Sequence, residues 1–157
     1  WLERGDGKPD YIEEPVQEDE FIEIKQVAVK LTAGTTGFVV DYANEEGERI
    51  MFRKSWLNAK GYKADRLFAT KIKGQSMESG LYEDDVVIFN AADTDPVDGK
   101  VFAVNYEGEC IVKRLIRDNN AWWLESDNPD KARFPRKYCT STTMIIGRVV
   151  HKQSEHI

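Results

Sequence analysis

The second half of the chain is a series of short apolar runs interrupted at close spacing by turn-forming residues, a pattern that only a mainly β fold accommodates. Val86 to Ala91, Lys100 to Tyr106, Glu109 to Arg117 and Ala121 to Glu125 each have the composition and length of strands. Between them lie Asp95-Pro96-Val97-Asp98-Gly99, Glu107-Gly108 and Asp118-Asn119-Asn120. Gly, Pro, Asn and Asp supply the locked or positive φ that tight turns require. A last strand is expected from about Thr142 to His151. Upstream, Phe21 to Lys30 alternates, Phe38 to Tyr42 and Arg49 to Arg53 flank the turn Asn44-Glu45-Glu46-Gly47, and Leu67 to Lys73 adds a further strand. Only Ser55 to Gly61, with Ser and Gly at its ends, has the signature of a helix, and a short one.

Two residues in this frame carry chemistry. In a strand, side chains two apart share a face, so Lys113 lies with Ile111 and Leu115, while Cys110, Val112, Arg114 and Ile116 point the other way. If the Lys113 face is the core, burial disfavours the ammonium and yields a neutral amine able to act as a general base. If it is not, Lys113 reaches out to water along its own apolar stem. Ser76 stands in Lys73-Gly74-Gln75-Ser76-Met77, where Gly74 permits a tight turn at the end of a strand. Met77 to Gly80 leave room for at most one helical turn, whose free N–H groups could face an oxyanion. A serine becomes a nucleophile only with a base in hydrogen-bond reach, a distance that spacing along the chain leaves open.

Gly74-x-Ser76-Met77, Glu83 to Ile88, Val112-Lys113-Arg114-Leu115, Ser126-Asp127-Asn128-Pro129 and Ile146-Gly147-Arg148-Val149-Val150 occur in this order over about half the chain. The set resembles the C-terminal domain of LexA-type and phage CI-type repressors, which are self-cleaving serine peptidases with a Ser-Lys dyad. The resemblance implies Ser76 as nucleophile, Lys113 as general base, and the strongly bent antiparallel sheets of that fold with a short helix. It also implies a scissile Ala-Gly bond upstream, and Ala33-Gly34 lies in the Thr- and Gly-containing run Leu31 to Gly37. Small residues there let the backbone enter a narrow site. The pattern is departed from at Ser79, where a Pro soon after Ser-Met is usual, and at Asp84, where a Gly is usual.

Composition bounds the partners. The 157 residues carry a net charge of −6, which disfavours contact with nucleic acid phosphates by this chain. Residues 1–20 hold much of the acid together with Gly5, Gly7, Pro9 and Pro15, and are expected to be a linker, leaving 21–157 as the folded domain. Trp1-Leu2, followed by a Gly-rich run, resembles the exit from the helix-turn-helix domain of phage-type repressors, so an N-terminal DNA-binding domain is expected ahead of Trp1. No apolar run spans a bilayer and no signal peptide is visible, which points to a cytoplasmic chain. Cys110 and Cys139 lack a neighbouring Cys or His at metal spacing, and no phosphate loop appears, so neither metal nor cofactor is expected. His151 and His156 lie near the C-terminus, poorly placed to serve as the base.

The expected function is the dimerisation and autoproteolytic domain of a phage-type repressor, with backbone N–H groups at Gln75 and Ser76 as the oxyanion site and homodimers pairing two DNA-binding domains on an operator. The resemblance implies stimulation of the cut by a RecA filament, as in an SOS response that induces a prophage. Two alternatives share the fold: a UmuD-like self-processing accessory protein of translesion synthesis, and a non-cleaving module controlled by an antirepressor.

Overall fold

The computed structural model describes residues 20–34, 37–44 and 49–157. The acidic linker, the segment around Trp1 and the tip of the expected turn at 45–47 lie outside the described residues. The elements in chain order are β1 (Phe21–Gly34), β2 (Gly37–Asn44), β3 (Ile50–Arg53), α1 (Lys54–Lys60), β4 (Leu67–Lys71), β5 (Val86–Asn90), β6 (Val101–Tyr106), β7 (Glu109–Asp118), β8 (Ala121–Glu125), β9 (Lys137–Tyr138) and β10 (Met144–Gln153). Nine strands follow the order β2-β1-β4-β5-β10-β6-β7-β8-β9, and β3 pairs with β1 off that path. The fold is mainly β with one short helix, as the turn spacing requires.

Two features depart from expectation. The first strand runs on to Gly34, because β2 zips against it from Val27↔Asn44 to Gly34↔Gly37. Gly34 and Gly37, which weaken a strand, mark the end of this run as a turn, but the hairpin ladder extends through both. The sheet is also not wholly antiparallel: β1 and β4 meet in parallel at Lys25↔Phe68 and Gln26↔Ala69.

The central strands β5, β6 and β10 carry the core. Phe89, Phe102, Ile88, Val87 and Val104 are fully buried, with Ile24, Leu57 and Leu67 beside the helix end. Helix α1 buries Leu57 and ends where Gly61, at φ 75°, donates its N–H to Asn58 and Leu57 carbonyls. Strand β10 slips register between Ile145 and Gly147 and again between Val149 and His151, which lets it pair with β6 and then β5. At Gly147 it passes so close to β5 that a Cβ would lie 2.5 Å from the Asn90 carbonyl oxygen.

The departure at position 84 is explained by its backbone. Asp84 sits at φ 70°, the left-handed region, and donates its N–H to the Ile72 carbonyl at 3.0 Å. Asp tolerates that region better than most residues, so it can replace the usual glycine. Asp84→Gly is therefore expected to shift the melting temperature by no more than about 2 °C, whereas Asp84→Val places a β-branched residue there and costs about 2 kcal/mol. Thermal unfolding of the two variants checks this, and a Val variant melting with the wild type would refute it.

Candidate active site

Strand β4 ends at Lys71, and the chain turns through Gly74, at φ 76°, into residues 75–80 before re-entering the sheet at β5. Met77 is the anchor of this turn: it is 1 % exposed and packs with Ile72, Leu81 and Val87. A buried side chain directly after Ser76 leaves the serine half-buried at the edge of a cleft. The turn carries only two helix-type bonds, from Glu78 N–H to the Gln75 carbonyl at 3.2 Å and from Leu81 N–H to the Met77 carbonyl at 2.9 Å.

The cleft has a volume of about 740 Å³, and both Ser76 and Lys113 line it. Lys113 lies on β7 opposite Phe102 of β6 and is only 7 % exposed. Its Nζ is 2.5 Å from Ser76 Oγ. The strand alternation holds, since Leu115 on the same face is 2 % exposed and packs with Phe102, Val104 and Leu124, with Ile111 at the margin. Burial lowers the Lys113 pKa from 10.5 to about 8, helped by the positive charge of Lys137 and opposed by Asp127. Lys71 and Lys73 also line the cleft, but both are exposed. Of the three, Lys113 is the buried one.

Both histidines are engaged elsewhere. His151 meets Phe52 and Trp56 edge-on at 5.0 and 5.8 Å, and His156 lies flat on Tyr82 at 3.6 Å. Among the described residues no group of three His, Cys, Asp or Glu side chains is arranged to hold a metal, and no helix is long and apolar enough to cross a membrane. Cys110 and Cys139 are free thiols packed at the margins of the core. Of the adjacent tryptophans, Trp122 packs toward the core while Trp123 is covered by Arg136 at 3.9 Å and Tyr138 at 5.1 Å.

The backbone around the cleft favours an extended guest. Strand β7 pairs with β8 only from Arg114 onward, so among the described strands residues 109–113 have one unpaired ladder edge beside Lys113. Ala28 and Val29 of β1 line the same cleft. Ala33 and Gly34 occupy the last two positions of the β1 ladder, opposite Phe38 and Gly37. At the rise of a strand, Ala33 is about 13 Å beyond Val29. The structure thus brings Ser76 and Lys113 together, and places Ala33 and Gly34 farther out along the hairpin.

A family model described as Peptidase S24-like matches residues 25–150. The chain belongs to the Peptidase S24-like family. Two curated relatives of this S24-like chain are LexA repressors, from Halalkalibacterium halodurans and Shouchella clausii, each 30 % identical over 90 residues and 55 % of this chain. The match spans 44 % and 43 % of their respective lengths.

The site also contains groups that sequence reasoning gave no role. Arg114, next to Lys113, forms a bidentate pair with Asp127, both bonds 2.8 Å, and its third nitrogen donates to the Gly99 carbonyl at 2.6 Å. Asn128 contacts the Ser76 turn directly. The motif Ser126 to Pro129 was visible, but its contacts span 13 residues to Arg114 and 53 to Gln75, and no local period signals them.

Proposed function

We propose that this chain is the dimerisation and self-cleavage domain of a transcriptional repressor, and that it cuts its own Ala33–Gly34 bond with Ser76 as nucleophile and Lys113 as general base. The contact between a buried lysine and a serine hydroxyl, in a cleft open to one free strand edge, is the observation that carries this reading. Neutral Lys113 accepts the Ser76 proton as Oγ attacks the Ala33 carbonyl carbon. The oxyanion is held by the N–H groups of Gln75 and Ser76. Collapse breaks the C–N bond, and the Gly34 nitrogen leaves with the proton from the Lys113 ammonium. Water, deprotonated by the same lysine, then releases the Ala33 acid and restores Ser76.

In its hairpin position the bond is engaged by β2, so cleavage requires the end of the β1–β2 ladder to open and fold back to the cleft. That equilibrium, rather than the chemistry, is the control point, and a RecA filament would act by favouring the folded-back form. DNA would be bound by a preceding helix-turn-helix domain, and loss of its dimeric tether would weaken operator binding. Intact-mass analysis of the purified chain after incubation at pH 7 and pH 10 tests the reading. A fragment ending at Ala33 and one beginning at Gly34, both absent from Ser76→Ala, are expected. No fragments under either condition, with activated RecA filament added, would favour a non-cleaving module instead.

A further inference from the structure

The dyad draws its two groups from separate elements, 37 residues apart in the chain, and the nucleophile's turn is exposed at Gly74 and Gln75. Met77 pins this turn from within. A second restraint comes from the segment after β8. Asp127 is locked to β7 by the two hydrogen bonds from Arg114, the neighbour of Lys113. The next residue, Asn128, donates its backbone N–H to the Ser76 carbonyl at 3.0 Å and its side-chain Nδ2 to the Gln75 carbonyl at 2.9 Å. Its Oδ1 accepts the Asp130 N–H at 2.9 Å, which fixes the amide's orientation. Base strand and nucleophile turn are thus bridged by two consecutive residues.

The bond to Gln75 has a particular consequence. In a planar trans peptide the carbonyl and the following N–H point in opposite directions. Holding the Gln75 carbonyl therefore directs the Ser76 N–H away from Asn128. We propose that Asn128 is a positioning residue, which through the Gln75 carbonyl orients both the Ser76 hydroxyl toward Lys113 and the Ser76 N–H as an oxyanion donor. This rests on the Ser76–Lys113 reading above.

The test is the rate at which a fluorophosphonate probe labels Ser76 in the full chain between pH 6 and pH 10, with the labelled peptide identified by mass. Labelling needs the base and the oxyanion donors but not the movement of the hairpin, so it isolates the centre. Asn128→Asp keeps the volume and the acceptor for Asp130 but removes the donor to Gln75. Asn128→Ala removes both. In the wild type, labelling is expected to rise through about pH 8, where Lys113 loses its proton. In both variants the plateau falls roughly 10- to 100-fold, the effect of displacing a reacting group by about an ångström, with the midpoint unmoved in Asn128→Ala and raised in Asn128→Asp by the added carboxylate, which leaves the plateau as that variant's readout. If Asn128→Ala fails to fold, Asn128→Asp decides alone. Wild-type labelling in Asn128→Asp overturns the proposal. So does a midpoint displaced toward pH 10 with full recovery there, because that would mean Asn128 merely keeps the cleft dry. A wild-type chain with no label on Ser76 overturns the dyad itself, and the positioning role with it.

Discussion

Lys113→Met is expected to abolish cleavage at Ala33–Gly34 at every pH, a loss on the order of 10³-fold or more, and at the same time to make the fold more stable. Methionine keeps the apolar stem against Leu115 and Phe102 but has no proton acceptor. Lys113→Arg should be equally inactive, because a guanidinium stays protonated. In the wild type, cleavage should rise through about pH 8, where the buried amine loses its proton. The stability change follows from the same burial. The folded state releases the Lys113 proton near pH 8, but the unfolded chain keeps it to 10.5, so between those values the unfolded state binds more protons. Wild-type stability due to this group therefore rises from pH 8 to 10.5, and below pH 8 the full cost of burying the ammonium is present. Methionine removes that cost, on the order of 2 kcal/mol at pH 7 after allowance for residual solvation, and the advantage vanishes above about pH 10.5. Intact mass and urea unfolding across pH check both halves. A cleaving methionine variant, or one less stable than wild type at pH 7, would contradict them.

The largest expected effect away from the site is at Gly147. A methyl group there would stand 2.5 Å from the Asn90 oxygen, 2.8 Å from its carbonyl carbon and 3.0 Å from Phe89 Cδ2. Two of these are backbone atoms of β5 in the middle of the sheet, so no side-chain rotation relieves the clash. Either β10 leaves β5 or the register slip at Ile145/Gly147 is redrawn. Gly147→Ala is expected to cost ~3 kcal/mol, lowering the melting temperature by about 6–12 °C. A variant melting within about 2 °C of wild type would show that the two strands can separate freely.

Strand positions after residue 85 were legible because each turn carries its own chemistry: Gly108, Asn119 and Asn120 all take positive φ, which their residue types allow. Alternation put Lys113 on one face with Leu115 but left open whether that face is the core, which the packing of β6 and β8 on β7 decides. β9 was not legible, because a two-residue bridge has no period to detect. The far end of β1 was misleading, as glycine marks a turn in the isolated chain and the β2 ladder decides the folded one. The Arg114–Asp127 and Asn128 contacts were hidden for a different reason: they depend on loops meeting at a distance, and hydrogen-bonding residues there look like ordinary solvated loop.

The length of β1 bears on what happens after a cut. Ile24 and Val27, both 1 % exposed, lie before the Ala33–Gly34 bond, and Phe21 to Gln26 pair with β3 and β4. Hydrolysis at that bond would sever the covalent link but leave this strand seated, with two core side chains each contributing about 1.5–3 kcal/mol of burial. The upstream fragment would thus be a nicked but retained piece, released only as β1 peels from the sheet. Bond breaking and disassembly become two clocks, and the slower one sets how soon anything attached ahead of residue 21 is free.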